Sequence, residues 1–420
     1  MFALVDANNF YVSCELVFRP DLRGKPVVVL SNNDGCVISR SEEAKAIGIP
    51  MGAPFFEIKH LLDLHDGTYF SANFALYGDM SRRVMTLLQE WAPAIEIYSV
   101  DEAFLDFHGF HPLPSLREYA LEMKRTIFRS SGIPISIGIA PTKALAKVAN
   151  KVAKKFPAQT NGVHVIDDER KRVKALKWLP IEDVWGIGQR WSERLQKKGI
   201  KTAFDFTELP EDWVRKHMTI VGLRLKKELL GESCLTLEEI EHKQSISVSR
   251  SFHDELHTFD EVYERVATFI SLGAEKLRKQ KSVAGMVLVY LRSNPFREKE
   301  RPFFKQGVAK LAHRTSSSIE LAKYAKLILH KIYEPFPVKK AGIVLLDLIS
   351  SDVEELSFFH PHQEKHNKLM ETLDKLNDKY GQGTLRIAAQ EGSLRHHVLQ
   401  QNLSPCYTTR WEDILVVKAK

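Results

Sequence analysis

The first 165 residues alternate between short apolar runs and longer amphipathic segments, a pattern that predicts strands separated by helices. An apolar strand at the start leads into a loop or helix within residues 1–20. Residues 76–165 then predict a helix through Trp91, a hairpin at 94–107, a helix at 115–130, a strand at 134–140, a helix at 142–155 and a strand at 163–166. With the first strand, these elements predict a split βαβ sheet that carries helices on one face.

A compact insert is predicted between these parts, at residues 21–75. Two β-like runs at 26–30 and 36–40 are separated by a turn at 31–35 that contains Asn, Asp and Gly. A short helix begins near Ser41 and ends at Gly48.

The pattern changes twice more towards the C-terminus. Residues 166–240 are helical and charged, with little β patterning. From residue 241 onwards, strands at 246–252, 282–292, 303–310 and 342–350 alternate with helices at 258–279 and 315–333, which predicts a second small sheet. Residues 351–420 contain a short helix at 363–377 among polar residues and are predicted to be a loosely ordered tail or an interaction segment. The fold class is therefore α/β (α+β), in several domains.

Length and charge fit a multidomain protein with a polyanionic partner. The chain has 420 residues, more than one ordinary core accommodates, and 44% of them are hydrophobic. The net charge is +7, and residues 141–200 alone carry fourteen Lys or Arg against six Asp or Glu. Such a basic stretch predicts a phosphate-binding surface, although a solvated helical face would have the same composition.

Several classes of protein are not expected from the remaining composition. The four Cys are scattered without any Cys-x-x-Cys, and the 16 His show no metal-ligand spacing, so neither disulfides nor structural zinc are expected. The first apolar run is interrupted by Asp6, and no run of eighteen apolar residues occurs, so neither a signal peptide nor a membrane span is expected. This pattern suits a protein of the reducing cytoplasm.

Two of the strand-like runs lead into carboxylates. Residues 2–5 lead into Asp6, and the run at 95–98 is followed by Asp101 and Glu102. Acids at the ends of adjacent strands can share two divalent cations, and magnesium prefers such oxygen ligands. The spacing alone is a weak signal, because many acids at strand ends form turns or cap helices. We expect the nearby Asp106 and the pair Asp167–Asp168 to be structural acids of that kind.

The residues around these acids resemble the Y-family of translesion DNA polymerases. The matching strings are Asp-Ala-Asn-Asn-Phe-Tyr-Val-Ser at 6–13, Ser-Val-Asp-Glu-Ala at 99–103, Lys-Ala-Leu-Ala-Lys at 143–147 and Ala-Lys-Lys at 153–155. A helix-hairpin-helix string at 184–188 and Ser-Val-Ser-Arg-Ser-Phe at 247–252 extend the resemblance over nearly the whole chain. Three features are similar to the UmuC branch of the family. They are the length of the chain, the Val-Ser-Arg-Ser-Phe string at 248–252 and the ending at 403–410.

The resemblance implies a two-metal active site. Asp6, Asp101 and Glu102 would be the catalytic acids and, with the carbonyl of Ala7, would bind two Mg²⁺ ions. Tyr11 would stack on the sugar of the incoming nucleotide as a steric gate against a 2′-hydroxyl, with Phe10 packed beneath it; both rings could instead be core residues.

The resemblance also implies candidates for the triphosphate site, namely Ser39, Lys45 and Lys154. Many family members carry Tyr and Arg in the segment that aligns with Glu42 and Lys45. Glu42 cannot donate to a phosphate, so it is excluded, and Lys45 lacks the bidentate fork of Arg.

Further residues are implied in contacts with DNA and with a sliding clamp. Gly186 and Gly188 would present backbone amides to a DNA phosphate, supported by Lys197 and Lys198, and Arg250 would contact DNA from the last domain. A weaker copy of the glycine string lies at 221–225. The clamp-binding peptide resembles residues 355–359, in which Leu356, Phe358 and Phe359 would fill a groove. Glu355 stands where that motif prefers Gln, and the two Phe could instead pack on the tail's own helix.

By the same resemblance the chain divides into a palm (1–20 and 76–165), fingers (21–75), a thumb (166–240), a little finger (241–350) and a C-terminal tail (351–420). The implied activity is error-prone translesion synthesis in the SOS response to DNA damage, without proofreading. Implied partners are primer-template DNA, deoxynucleoside triphosphates, a processed UmuD-type dimer, a RecA filament and the sliding clamp, with no membrane. The implied location is the bacterial cytoplasm, at the nucleoid when the protein is active.

Two other classes share part of this pattern. A nucleotidyl cyclase uses a palm-like sheet with two acidic metal ligands, but it does not need a helix-hairpin-helix or a basic stripe. A DNA-binding scaffold without catalysis would keep the fold, but it would not need the three acids. Primer extension with magnesium separates these classes from a polymerase.

Overall fold

The structure is a computed structural model that describes residues 1–110, 115–238, 243–296, 302–353, 364–390 and 400–416. The chain divides into two compact units, the first Met1–Glu239 with Gln400–Lys420 and the second Ile240–Leu399. Within the described ranges, no helix combines the length and the apolar character needed to span a bilayer.

The first unit alternates strands and helices as far as residue 165, and the elements that follow in it are helices. In chain order its elements are β1 (Phe2–Ala7), α1 (Phe10–Phe18), β2 (Val27–Leu30), β3 (Val37–Arg40), α2 (Glu42–Ala46), α3 (Phe55–Leu64), β4 (Thr68–Ser71), α4 (Phe74–Leu88), β5 (Ala94–Ile97), β6 (Glu102–Asp106), α5 (Leu116–Ser131), β7 (Ile135–Ala140), α6 (Lys143–Lys155), α7 (Pro157–Thr160), β8 (Val163–Val165), α8 (Glu169–Trp178), α9 (Gln189–Gln196), α10 (Ala203–Thr207) and α11 (Glu211–Leu230).

A five-stranded sheet in the order β5-β6-β1-β7-β8 lies at the centre of this unit. The central strand β1 pairs antiparallel with both β6 and β7, and all six of its residues are buried. Ala3 and Val5 belong to one core cluster together with residues of α4 and α5, whereas Phe2 and Leu4 belong to another together with residues of α6. The expectation of helices on one face was therefore wrong: β1 is apolar at consecutive positions because both faces are covered.

A second, three-stranded sheet in the order β3-β2-β4 occupies residues 27–71. Strand β2 pairs antiparallel with β3 and parallel with β4. Val28 and Leu30 are fully buried with residues of α2 and α3. The sequence pattern predicted β2, β3 and α2, but it did not predict α3 or β4.

The second unit is a four-stranded antiparallel sheet with helices. Its elements are β9 (Ile246–Leu256), α12 (Phe259–Lys279), β10 (Ser282–Arg292), β11 (Phe304–Thr315), α13 (Ser318–Ile332), β12 (Val338–Ser350) and α14 (Glu364–Tyr380), and the strand order is β11-β10-β12-β9. Apolar residues of α12 and α13 form one core with the buried positions of the sheet. Both units combine helices with sheets, so the predicted multidomain α/β (α+β) fold class is confirmed.

The described part of the predicted tail is divided between the two units. Helix α14 belongs to the second unit, whereas residues 400–416 belong to the first. Residues 391–399, which join these two parts, lie outside the described ranges.

Helix α6 lies unusually close to the central sheet. Gly138 in β7 faces it, and a Cβ atom at this position would come within 2.0 Å of the backbone nitrogen of Asn150 and 2.4 Å of the carbonyl oxygen of Ala146. Asn150 uses this proximity, because its Nδ2 donates to the backbone oxygens of Ser136 (2.8 Å) and Leu4 (3.3 Å). A glycine in a strand interior here permits close backbone approach.

Gly138→Ala should destabilise the protein by about 3 kcal/mol or more, because the obstructing atoms are backbone atoms that cannot rotate away. Urea unfolding of the full chain measures the change. Gly78 provides a matched control, since it lies in α4 and an added Cβ would meet nothing within 4 Å beyond the helix's own backbone. Gly78→Ala should be neutral or stabilising by about 0.5–1 kcal/mol. Equal stability of Gly138→Ala and the parent chain would contradict the close approach of α6.

Candidate active site

The three predicted catalytic acids meet at one end of the central sheet. Asp6 is the fifth residue of β1, and its Cα partner across the antiparallel ladder is Glu102, the first residue of β6. Asp101 lies in the turn just before β6 rather than in the strand, and its carbonyl accepts the amide of Ala7 at 2.8 Å. The turn between β5 and β6 therefore brings Asp101 and Glu102 next to the end of β1.

Each of the three carboxylates has a close donor. Asp6 Oδ1 lies 2.5 Å from Lys154 Nζ, and Glu102 Oε2 lies 2.9 Å from Lys147 Nζ. Asp101 Oδ1 accepts from Ser99 Oγ at 2.5 Å. Two ammonium groups therefore compensate the negative charge of Asp6 and Glu102.

Burial is the main electrostatic influence on Asp6. It raises the pKa of this carboxyl to about 7, an effect that Lys154 opposes and that the negative charges of Glu102 and Asp101 reinforce. Burial therefore opposes the ionised form of Asp6 even with the Lys154 ammonium beside it. A bound divalent ion would favour the ionised form.

The side chains present fit oxygen-only coordination of a hard cation. In the described part of the chain, no three or more His, Cys, Asp or Glu side chains are arranged to hold a metal ion as they stand. Lys147 and Lys154 occupy oxygens of Glu102 and Asp6, so a metal would have to replace these ammonium groups. Ala7, the predicted backbone ligand, is buried directly after Asp6.

A row of lysines on α6 supplies these ammonium groups. Thr142 caps the helix through Leu145 N, and Lys143, Lys147 and Lys154 follow at helical spacing. Lys143 is buried and binds both oxygens of Glu96 at 2.9 and 2.7 Å. The sequence motif contained Lys147, but no role was predicted for it. Spacings of four and seven residues put these lysines on the same side of a helix.

A cavity of about 360 Å³ lies beside the acids. Its lining includes Asp6, Glu102, Lys147, Lys154 and Trp185. The volume is within the range of small-ligand sites.

The predicted triphosphate residues fall into two places in the same unit. Ser39 Oγ donates to the carbonyl of Asn9 (3.2 Å) and accepts the amide of Val12 (3.3 Å). Lys45 Nζ donates to Asn9 Oδ1 at 2.8 Å and to Glu42 Oε1 at 2.6 Å. Both residues therefore lie at the beginning of α1, whereas Lys154 lies at Asp6.

The first turn of α1 adds backbone donors at this point. Asn9 precedes the helix in a left-handed conformation (φ 48°) and provides no side-chain cap. The first amides of any helix have no carbonyl partner within it, so helix N-termini attract anions. Asn9 itself was not predicted as a site residue, although it lies within the motif at 6–13.

The two predicted aromatic residues differ in exposure. Phe10 is buried in the core cluster, whereas Tyr11 is half-buried. Tyr11 stacks on Tyr77 with ring centroids 4.6 Å apart and an interplanar angle of 18°. Phe74 meets the Tyr11 ring edge-on at 6.0 Å. Tyr77 was missed, because an aromatic residue on an amphipathic helix carries no distinguishing signal in sequence.

The predicted hairpin at 184–188 adopts a compact turn. Gly186 has φ 87°, which a side chain would strain, and Gly188 directly precedes α9. Lys197 and Lys198 are exposed just after α9, and Lys198 Nζ lies 5.4 Å from the ring centroid of Trp213. The weaker copy at 221–225 lies within α11, which is interrupted at Thr219 (φ 62°).

Other predicted residues lie elsewhere. Arg250 is exposed on β9 of the second unit. The clamp residues Leu356, Phe358 and Phe359 lie outside the described residues. The acids expected to be structural have local partners: Asp106 accepts from the backbone amide of His108 at 2.8 Å, and Asp168 caps α8 through Lys171 N at 2.8 Å.

Three family models match the chain. The model described as impB/mucB/samB family matches residues 5–151, and the model of the impB/mucB/samB family C-terminal domain matches residues 243–358. A domain of unknown function, DUF4113, matches residues 367–417.

Curated relatives match over the full length. Protein UmuC of Salmonella typhimurium is 42% identical over 422 residues and covers 100% of both chains. Protein ImpB of Salmonella typhimurium is 39% identical over 99% of both chains. DNA polymerase IV 1 of Bacillus subtilis is 27% identical over 92% of both.

Solved structures share the fold. A Y-family DNA polymerase chimera of Dbh and Dpo4 superimposes with a TM-score of 0.68 at 22% identity, over 83% of this chain and 100% of the chimera. An insertion ternary complex of Dbh DNA polymerase gives a TM-score of 0.55 at 23% identity, with the same coverage. Together with the full-length relatives, these matches show that the chain belongs to the impB/mucB/samB family and is a UmuC-like Y-family DNA polymerase.

Proposed function

We propose that this polymerase extends a primer by two-metal nucleotidyl transfer, and that it carries out error-prone translesion synthesis in the SOS response. The observation that supports this most directly is the placement of Asp6, Asp101 and Glu102 at one end of the central sheet, with two lysine ammonium groups on their carboxylates. Oxygen ligands gathered in this way suit divalent metals.

DNA polymerases of this family use divalent metal ions, and we assign two Mg²⁺ ions to this site. Asp6, Asp101, Glu102 and the carbonyl of Ala7 would hold both ions. When bound, the ions would lower the pKa of the primer 3′-hydroxyl and neutralise charge on the triphosphate. Lys147 and Lys154 would keep the carboxylates compensated when the metals leave.

The incoming nucleotide would lie between the acids and the beginning of α1. Lys154, Lys45, Ser39 and the amides of Phe10 and Tyr11 would contact the triphosphate, since these groups lie at Asp6 and around Asn9. The half-buried ring of Tyr11 would lie under the sugar and exclude a 2′-hydroxyl. Its stack on Tyr77 limits how far it could move away.

In domain terms, we assign palm, fingers, thumb, little finger and tail to the residue ranges given above. Gly186, Gly188, Lys197 and Lys198 of the thumb would hold the DNA backbone, and Arg250 would do so from the little finger. These contacts would be independent of base sequence.

The proposed partners follow from the UmuC-like family. They are a processed UmuD-type dimer, a RecA filament and the sliding clamp, the last through Leu356, Phe358 and Phe359. The proposed location is the bacterial cytoplasm, at the nucleoid during synthesis.

Asp101→Asn should lower single-nucleotide incorporation by about a hundredfold or more, because one lost charge weakens both metals. Primer extension with Mg²⁺ and labelled primer-template measures the rate. Asp106→Asn is the matched control, since Asp106 lies in the same hairpin with a local partner, and it should keep the parent rate. Extension by Asp101→Asn at the rate of the control would contradict the metal assignment.

Tyr11→Ala should lower the preference for deoxyribonucleotides over ribonucleotides by about tenfold or more, because the removed ring no longer excludes the 2′-hydroxyl. The ratio of kcat/KM values for matched deoxyribo- and ribonucleotides measures this preference. An unchanged ratio would show that Tyr11 is a core residue and that another group selects the sugar.

Replacing Lys197 and Lys198 by Ala should weaken binding to every duplex sequence alike, and should reduce the slope of log affinity against log salt by about two. Fluorescence anisotropy over a series of salt concentrations measures both. Lys368→Ala with Lys375→Ala removes the same charge from exposed positions of α14 and should leave the slope unchanged. A loss confined to particular sequences would argue against backbone binding.

A further inference from the structure

Residues 400–407, here named the C-terminal strap, return to the first unit and pair with its small sheet. The amide of Ser71 in β4 donates to the carbonyl of Asn402 (2.9 Å), and the amide of Asn402 donates to Ser71 Oγ (3.1 Å). Ser71 also forms a parallel bridge with Leu403. Because β4 is an edge strand, the strap covers backbone groups that would otherwise be unpaired.

The strap also binds the two helices that surround the proposed nucleotide site. Asn73, which caps α4, donates from Nδ2 to the carbonyl (2.9 Å) and the hydroxyl (3.1 Å) of Ser404. Tyr407 stacks on Phe18 at the end of α1, with centroids 4.6 Å apart and an interplanar angle of 12°. The strap thus connects β4, α4 and α1.

Ser404 also forms a hydrogen bond with a buried carboxylate. Its hydroxyl donates to Glu15 Oε1 at 2.9 Å, and the hydroxyl of Tyr77 donates to the same oxygen at 2.6 Å. All three side chains are buried, and burial raises the pKa of Glu15. Among the described residues, Glu15 Oε2 has no hydrogen-bond partner. The two hydroxyls are therefore important to Glu15, because a buried carboxylate without donors is costly.

The Tyr77 hydroxyl belongs to a ring that stacks on Tyr11, the proposed steric gate. The Tyr77 ring is 1% exposed and lies directly behind Tyr11, at the 4.6 Å stacking distance. The hydrogen bond to Glu15 and the burial of the ring both favour this position of Tyr77 against Tyr11. The contacts therefore run without a gap from Ser404 through Glu15 and Tyr77 to Tyr11.

We propose that Ser404, Glu15 and Tyr77 are positioning residues for sugar selection, and that the C-terminal strap holds the steric gate in place from behind. This inference rests on the proposed role of Tyr11 as that gate. It gives a task to part of residues 367–417, the segment that matches a domain of unknown function. The catalytic acids and the DNA contacts are not part of this path.

The test uses the full chain with primer-template DNA and Mg²⁺, and measures kcat/KM for a deoxyribonucleotide and its ribonucleotide. Ser404→Ala and Tyr77→Phe should each lower the selectivity about threefold, because each removes one donor to Glu15. Tyr77→Leu, which also removes the stacked ring, should lower it about tenfold. The affinity for primer-template should stay at the parent value in all three variants.

Two controls distinguish positioning from general damage. Thr409→Ala changes an exposed side chain just beyond the strap, and Tyr119→Phe removes a tyrosine hydroxyl that donates to the carbonyl of Trp91. Both should keep the parent selectivity. Thermal melting of every variant detects loss of folding, and Ser404→Ala tests the proposal through the strap, with a one-atom change, if Tyr77→Leu does not fold.

A double-mutant cycle makes the test specific to the gate. In a Tyr11→Ala background, Ser404→Ala should have no further effect on sugar selectivity, since coupled residues are non-additive. If Tyr11→Ala relaxes selectivity but the Ser404 and Tyr77 variants keep the parent ratio, the inference is overturned and the gate stands. If Tyr11→Ala itself leaves the ratio unchanged, the gate assignment falls, and the inference with it.

Discussion

The burial of carboxylates gathered at one end of the central sheet is the constraint on which the arrangement around the site depends. Asp6 and Glu102 face each other across β1 and β6, with Asp101 in the adjoining turn. Charges of one sign in a poorly solvated place destabilise one another unless cations or protons compensate them. Here Lys154 and Lys147 compensate Asp6 and Glu102, and the raised pKa of Asp6 shows that burial still outweighs this help.

The position of α6 follows from that constraint. Its lysines reach the acids because the helix lies against the sheet, and the missing side chain of Gly138 permits this approach. The same helix carries Lys143, which forms a buried ion pair with Glu96. Glu96 Oε2 also accepts a hydrogen bond from the backbone amide of Glu238 at 2.7 Å. One helix therefore organises both the carboxylate cluster and the chain segment that follows α11.

Sequence reasoning found the parts that have a local signal. Asp6 ends an apolar run, and Asp101 and Glu102 lie in a stretch whose sequence predicts a hairpin. Helices α5, α6 and α12 were predicted close to their observed positions. It failed where long-range packing decides. The apolar run in β1 did not show that helices cover both faces, and polar residues near Ser404 gave no sign that they return to Glu15. Lys147 could have been assigned, because its spacing from Lys143 and Lys154 places it on the same side of a helix.

In the proposed reaction cycle, the carboxylates exchange their lysine partners for divalent metal. Anomalous diffraction from Mn²⁺ tests this in crystals of the full chain with primer-template DNA and a non-hydrolysable deoxyribonucleotide. We expect two peaks, both within coordination distance of Asp6 and Asp101, with Lys147 and Lys154 displaced from Glu102 and Asp6. Metal bound only elsewhere, with both lysine pairs intact around a correctly placed nucleotide, would contradict the claim.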